Sequence, residues 1–139
     1  MALATEIVGD RWTLLVLREA FYGVQRFDDM RVDLDVPRSM LSDRLRKLVE
    51  SGLMTRQPYQ EPGERVRYAY ALTDAGRDLA LTMLALTQWG EKYASASESP
   101  VEVVSGKSGR RLHVALVDEA GEIVPLEEAR LALRTDPSR

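Results

Sequence analysis

Seven basic side chains lie within residues 38–67, near the middle of a chain whose formal net charge is −3. They are Arg38, Arg44, Arg46, Lys47, Arg56, Arg65 and Arg67, and four acidic residues lie among them. Seven cations against four acids give this segment a charge of +3, opposite in sign to the whole chain. Salt screens exposed charges beyond about 8–10 Å, so local charge decides phosphate contact more than net charge does. The segment is therefore a candidate for contacts with nucleic-acid phosphates.

The first part of this basic segment has the periodicity of an amphipathic helix, which we predict over residues 37–51. Leu41, Leu45 and Leu48 fall within about 60° of one another at 100° per residue and form an apolar stripe. The opposite side has short hydroxyls and cations, the composition of a helix that reads a DNA major groove. Its side chains are Ser39, Asp43, Arg46 and Lys47, with Ser42 on the flank. Arg44 lies nearer the apolar border, where we expect it to pair with an acid or a phosphate.

A β-hairpin is predicted directly after this helix, with strands at residues 53–59 and 66–73. Between them, the sequence Glu-Pro-Gly-Glu at 61–64 has proline and glycine at the central positions of a type II turn. The hairpin loop would place Arg65 and Arg67 where a minor groove or the flanking DNA backbone could receive them.

Further helices are predicted on both sides of this unit. A short helix at 26–34 precedes the basic helix. Pro37 prevents the two from forming one continuous helix, since the residue before a proline avoids helical conformation. One longer helix is predicted over 3–22 and another over 74–93, which Thr73 caps and which is apolar on two faces. This order describes a winged helix-turn-helix. We predict the α+β fold class, mainly α, with residues 1–93 as a DNA-binding and dimerisation domain.

The remainder of the chain is predicted to be a small appendage. Residues 94–100 have the small side chains of a linker, and residues 101–139 form a ribbon-like, β-rich unit. Short strands are expected at 101–105, 111–117 and 122–124, whereas 125–133 fits either a helical turn or a fourth strand. The chain has no cysteine, so it cannot form disulfides or thiolate metal sites. We interpret the lone His113 as a strand residue, and we expect no metal or cofactor.

Four motifs occur in order along residues 3–93. They are VGDRWTLLVLREAFYGVQRFDDM, MLSDRLRKLVESGLMTR, YALTDAG and LTQWG, which begin at Val8, Met40, Tyr70 and Leu86. They resemble the signature blocks of the HxlR-type winged helix-turn-helix transcription regulators. Those blocks are Gly-x-Arg/Lys-Trp-Thr-Leu-Leu followed by Arg-Phe-x-x-Leu/Met, then Leu-Ser-x-Arg-Leu-x-x-Leu-x-x-x-Gly-Leu, Tyr-x-Leu-Thr-x-x-Gly and Trp-Gly. The sequence pattern at 117–131 resembles that of a cysteine-rich ribbon in some members of the family, with Val117 and Ala120 at the positions of the cysteines.

The resemblance implies a homodimer whose first and last helices interlock, and it implies DNA contacts by the basic helix and the hairpin. Arg38, Ser39, Ser42 and Arg46 would then meet bases or phosphates, and Arg67 would be the wing arginine. Combined with the helix and hairpin analysis above, the candidate DNA-binding residues are Arg38, Ser39, Ser42, Arg46, Lys47, Arg65 and Arg67.

We predict a cytoplasmic, homodimeric regulator of transcription that binds specific double-stranded DNA, as a repressor or a dual regulator of nearby genes. Many members of the family sense oxidants through a cysteine, which this chain lacks. A small molecule bound without covalent chemistry would therefore be the signal. Trp12, Tyr22, Leu86 and Trp89 would either line an apolar pocket for it or pack in the dimer interface.

Two other classes of function are alternatives to this prediction. The basic side of an amphipathic helix usually does no more than face solvent. The domain could therefore be a protein-interaction module that has no specific DNA site and whose basic side is incidental. The arginine-bearing hairpin directly after the helix favours DNA. An enzyme is not supported, because the sequence has no nucleophile–base arrangement, glycine-rich phosphate loop or metal-ligand spacing. No apolar run approaches the ~18 residues of a membrane span, and no signal peptide is recognised, so we expect no membrane partner.

Overall fold

The computed structural model describes residues 2–94 and 101–132. The chain divides into two compact units, Met1–Leu86 and Thr87–Arg139. The predicted linker at 94–100 lies, apart from residue 94, outside the described residues. The predicted domain boundaries on either side of that linker remain a prediction.

The helices and strands of the first unit follow the predicted order. They are α1 Ala2–Val8, α2 Arg11–Phe21, α3 Phe27–Leu34, α4 Arg38–Glu50, β1 Met54–Tyr59, β2 Arg67–Leu72, α5 Asp74–Asp78 and α6 Ala80–Tyr93, the last of which continues into the second unit. Two helices with a tight break between them, then a two-stranded antiparallel sheet, confirm the predicted winged helix-turn-helix.

The prediction of one helix over 3–22 is wrong, because Gly9 and Asp10 are not helical and separate α1 from α2. The Gly9 N–H donates to the Thr5 carbonyl at 2.9 Å, and a Cβ at Gly9 would lie 2.2 Å from that oxygen. Asp10 is extended, and its carboxylate accepts from the backbone N–H groups of Trp12 and Thr13 at 3.1 and 3.2 Å. Such a cap satisfies N–H groups that otherwise lack a partner at a helix start. Asp10 therefore starts a new helix.

The prediction of one helix over 74–93 is also wrong in detail. Thr73 caps α5 as expected, since its hydroxyl oxygen accepts from the Gly76 N–H at 3.1 Å. After one turn, the Leu79 N–H donates to the Gly76 carbonyl, three residues back, at 3.2 Å. This tighter turn separates α5 from α6.

The core of the first unit lies between the helices and the sheet. Its buried apolar residues are Val16, Leu17, Met30, Leu34, Val36, Leu41, Leu45, Leu48, Met54 and Tyr70. Leu41, Leu45 and Leu48 are at most 1% exposed, which confirms the apolar stripe predicted for α4. Burying each such side chain contributes about 1.5–3 kcal/mol, so this stripe fixes which side of α4 faces solvent.

The two strands form the wing, in which Tyr59 lies opposite Arg67 beside the loop. The Glu64 N–H donates to the Glu61 carbonyl at 3.0 Å, and Gly63 has φ of 78°. Positive φ at the third position confirms the predicted type II turn.

The wing is also tied to the segment that precedes α3, which the sequence did not predict. Arg26 forms an antiparallel bridge with Ala69, and the Tyr70 N–H donates to the Gln25 carbonyl at 2.7 Å. These contacts fix β2 to the start of the helix-turn-helix.

In the part of the second unit that the structure describes, regular structure after the end of α6 is limited to short pairings and one turn. β3 Leu116–Val117 pairs with β4 Ile123–Val124, and Val104 bridges Arg111. These pairings are shorter than the predicted strands, and residues 126–128 form a single 3₁₀ turn. No helix within 2–94 or 101–132 is long and apolar enough to cross a membrane.

Candidate nucleic-acid interface

The exposed side of α4 carries the predicted reading residues. Arg38, Ser39, Ser42, Arg46 and Lys47 are all exposed, because the leucine stripe on the other side of the helix is buried. Arg38 and Ser39 begin the helix, directly after Pro37. Hydroxyls and cations therefore face solvent along the first three turns of α4.

A cleft of about 690 Å³ lies between α4 and the wing. Five of the seven predicted residues line it, namely Arg38, Ser42, Arg46, Arg65 and Arg67. Ser39 and Lys47 do not line it, although both are exposed on α4. The structure thus brings most of the predicted set to one concave, cationic surface formed by two elements.

Eight further residues of this cleft were not assigned to the site from the sequence, and three of them, Phe27, Arg56 and Tyr68, take part in contacts between an arginine and an aromatic ring. The Arg56 guanidinium lies over the Tyr68 ring at 4.4 Å, and the Arg38 guanidinium lies over the Phe27 ring at 4.8 Å. All of these residues line the cleft. Strand alternation could have indicated Arg56, since Arg56 and the buried Met54 are two residues apart on one face of β1.

The arginines at the two sides of the cleft share one carboxylate. Arg38 donates to Asp28 Oδ1 at 2.9 Å, and an Arg67 nitrogen lies 3.7 Å from Asp28 Oδ2. Arg67 also pairs with Glu64, whose charge is the main cause of a raised pKa for Arg67. Asp28 belongs to the first turn of α3, so the contact joins three elements.

A second group of ion pairs lies entirely on α4. Arg46 pairs with Asp43 at 2.6 Å and with Glu50 at 3.0 Å, and Lys47 pairs with Asp43 at 3.2 Å. Hydrogen bonds from Lys47 and then Arg46 lower the pKa of Asp43, so this carboxylate stays ionised. Bonds to Glu50 and Asp43 raise the pKa of Arg46. These three- and four-residue pairings are ordinary for a helix surface.

Arg44, which the sequence predicted to pair with an acid or a phosphate, pairs with two acidic residues. Its Nε donates to Asp10 Oδ1 at 3.0 Å, and its NH1 donates to Asp43 at 2.7 Å. Burial alone would raise the pKa of Asp10, but bonds from the Thr13 hydroxyl and N–H and the charge of Arg44 lower it overall. The residue that caps α2 therefore also fixes α4.

Trp12, Tyr22, Leu86 and Trp89 were predicted for a ligand pocket or a dimer interface, and Trp12 and Tyr22 lie at opposite ends of α2. Trp12 packs against the core, whereas Tyr22 at the other end of α2 is about 15 Å away at 1.5 Å of rise per residue. Tyr22 lines a separate cavity with residues 23–26 of the next turn. Leu86 is half-exposed on α6, and Trp89 is 61% exposed, with its ring centroid 5.8 Å from that of Tyr93. The ligand pocket remains a prediction. Among the described residues, no group of histidine or acidic side chains could hold a metal ion.

A helix-turn-helix with exposed cations on its second helix, followed by a two-stranded wing, defines the winged-helix class of nucleic-acid-binding domains. Residues 7–98 match the family described as HxlR-like helix-turn-helix. The chain belongs to this family, and the resemblance noted in its sequence is confirmed.

Individual relatives show how far the similarity extends. The uncharacterized HTH-type transcriptional regulator Rv3095 of Mycobacterium tuberculosis is 53% identical over 97 residues, which cover 70% of this chain and 60% of that protein. The crystal structure of PA1607, a candidate transcription factor, has a TM-score of 0.77 with 33% identity, covering 92% of this chain and 89% of PA1607. The redox regulator HypR in its oxidized form has a TM-score of 0.60 with 25% identity, covering 68% of this chain and 97% of HypR. Similarity to PA1607 therefore extends into the second unit.

Proposed function

We propose that this protein is a cytoplasmic, homodimeric transcription regulator that binds specific double-stranded DNA through α4 and the wing. The observation that carries the proposal is the cleft between them, lined by Arg38, Ser42, Arg46, Arg65 and Arg67. Relatives such as Rv3095 are named transcriptional regulators, which supports a regulator rather than an enzyme.

The dimensions of α4 suit a major groove. A helix with its side chains is about 10–12 Å across, and the major groove of B-DNA is about 12 Å wide. With its leucine stripe buried, α4 presents Ser39, Ser42 and Arg46 outward, where they can reach base edges. Arg65 and Arg67 on the wing would contact the neighbouring backbone. Hydroxyls and arginines therefore read sequence, and the wing adds phosphate contacts.

The test of this proposal is the salt dependence of binding to DNA from the intergenic region beside the gene. Footprinting should reveal two protected half-sites about one helical turn apart, as a two-fold protein requires. The logarithm of the binding constant should fall linearly with that of salt concentration, by about 0.9 for each phosphate contacted. Binding that does not change with salt concentration, with no protected DNA in the footprint, would favour the protein-interaction alternative. The contact surface would then be exposed apolar side chains of the second unit, such as Ile123.

The dimer is proposed from the apolar side chains that α1 and α6 leave exposed. Neither helix has a buried residue among those described. Leu3 and Ile7 of α1, and Leu81, Leu86 and Trp89 of α6, all expose much of their apolar surface. Exposed apolar area of this kind is a common mark of a protein–protein contact, and a second copy would cover it. Packing of both helices against their counterparts fits the interlocked arrangement that the family resemblance implies.

Replacing Leu81 by glutamate should convert the dimer to monomer at micromolar concentration. Leu81 is 69% exposed in a single chain, so the charge costs the monomer little but would be buried unpaired in the dimer. The matched control is Val32→Glu on α3, since Val32 is 68% exposed and lies on neither α1 nor α6. Sedimentation velocity measures the outcome, and wild-type protein that is already monomeric would exclude the dimer.

We propose further that the regulator is a repressor or a dual regulator released from DNA by a small molecule bound without covalent chemistry. HypR is a redox regulator, but this chain contains no cysteine to carry such chemistry. A ligand would act only through its different affinity for the DNA-bound and free geometries. Release of DNA by an oxidant, reversed by a thiol reductant, would contradict this proposal.

A further inference from the structure

The carboxylate of Asp28 lies between two arginines that come from different elements. Arg38 begins α4 and Arg67 begins β2, so nothing in the local sequence brings them together. Asp28 Oδ1 accepts from Arg38 at 2.9 Å, and its Oδ2 lies 3.7 Å from Arg67. All three residues line the cleft between α4 and the wing. One carboxylate oxygen thus faces each arginine.

A DNA phosphate resembles the Asp28 carboxylate, since both groups present anionic oxygens that can face the two arginines. Arginine forms charge-assisted hydrogen bonds with the anionic oxygens of carboxylates and of phosphates alike, so a phosphate can take the place of this carboxylate between the two guanidiniums. The side chains of Asp28, Arg38 and Arg67 are 34%, 59% and 39% exposed, so an external anion can reach them. Exposed ion pairs of this kind contribute little to the free energy of folding, so a polyanion can replace them.

The other acidic residues of the surface differ from Asp28 in this respect. Asp43 and Glu50 pair with cations of their own helix, and Glu64 pairs with Arg67 from three residues away on the wing. Among the described residues that line the cleft, only Asp28 forms ion pairs with both the α4 side and the wing side.

We propose that Arg38 and Arg67 form a binding site for one phosphate of the DNA backbone, and that Asp28 occupies this site in the free protein. The inference rests on the proposed DNA-binding function and adds a regulation of the same site. Asp28 competes with the phosphate for both arginines and, once displaced, still places a negative charge close to it. Non-specific binding depends almost wholly on phosphate contacts, so Asp28 lowers the affinity of the protein for DNA of any sequence.

The experiment compares Asp28→Asn with Asp29→Asn in binding to a labelled duplex of mixed sequence. Both changes remove one negative charge from the first turn of α3, and both side chains keep their size. Asp29 makes no ion pair with any residue that the structure describes, and it lines the cavity beside Tyr22 instead of the cleft. Fluorescence anisotropy over a salt series gives the affinity and the salt slope, and thermal melting of each variant reports its folding.

Asp28→Asn should bind the mixed-sequence duplex about five- to tenfold more tightly than wild type, with a salt slope steeper by about one. Asp29→Asn should change the affinity less than twofold. Equal effects of the two variants would overturn the inference and leave the proposed function intact, since general charge would then explain both. Weaker binding by Asp28→Asn would also overturn it, because Asp28 would then hold the arginines in position for DNA. Failure of wild type and both variants to bind any duplex would overturn the proposed function as well.

Discussion

Replacing Arg38 and Arg46 together by alanine is expected to weaken binding of the specific DNA site about a hundredfold or more. Arg46 would read a base edge, an interaction that contributes about 1–3 kcal/mol. Arg38 would lose its phosphate contact, and a hydrogen bond to a charged group contributes about 1.5–3 kcal/mol. Because 1.4 kcal/mol corresponds to a factor of ten in affinity, the two losses together reach about two orders of magnitude. The two arginines lie at the start and the middle of the exposed side of α4, two turns apart, so their contributions should be nearly independent. Fluorescence anisotropy with the footprinted site measures the loss.

The control for this double variant is Arg110→Ala combined with Arg130→Ala in the second unit. It changes the net charge by the same amount with exposed arginines that belong to neither α4 nor the wing. Both double variants should melt close to wild type, because Arg38 and Arg46 are more than half exposed. A folded Arg38/Arg46 variant with undiminished affinity would refute the assignment of α4 as the reading helix.

Replacing Gly76 by alanine should destabilise the first unit by about 2–3 kcal/mol. A Cβ at this position would lie 2.1 Å from the Leu53 carbonyl oxygen, which is backbone and cannot rotate away. The same oxygen accepts from the Thr73 N–H at 3.0 Å, so moving it would also disturb the cap of α5. Thermal unfolding should show a melting temperature lower by roughly 10–20 °C in a domain of this size.

Gly106→Ala is the matched control for Gly76→Ala. A Cβ at Gly106 meets no atom within 4 Å, and its φ is not positive, so the same change should shift the melting temperature by only a degree or two. If the two variants melt alike, the close approach of α5 to the wing does not limit stability.

The sequence predicted the helix-turn-helix and the wing closely because their signals are local. The leucine stripe of α4 and the turn at Gly63 each depend on residues a few positions apart. The predicted helix over 37–51 differs from α4 by one residue at each end. The breaks at Gly9 and Leu79 were missed for different reasons. Gly9 is a typical helix end and Asp10 a typical N-cap, but the apolar periodicity of 3–22 continues across them and obscured both signals. The turn at Leu79 has no comparable residue signal.

The candidate site was predicted in composition but not in its internal contacts. The exposed cations of α4 follow from helical periodicity, which also placed Arg44 near the apolar border, where an acid or a phosphate was the expected partner. The pairing of Asp28 with Arg38 and Arg67 was beyond sequence analysis, because it needs three elements to be folded against one another. Arg56 differs in this respect, because strand alternation places it on the same face of β1 as the buried Met54 and could have indicated its position in the cleft.

The double role of Asp10 makes the effects of mutations around it interdependent. Its carboxylate caps α2 through Trp12 and Thr13 and at the same time holds Arg44 of α4. Loss of Asp10 would therefore remove support from both helices, and a second change at Arg44 would then cost less than it does in wild type. Helices that share an anchor and a core open together rather than one at a time. Local opening that exposes the start of α2 should thus also release α4, which makes the two helices a single cooperative unit.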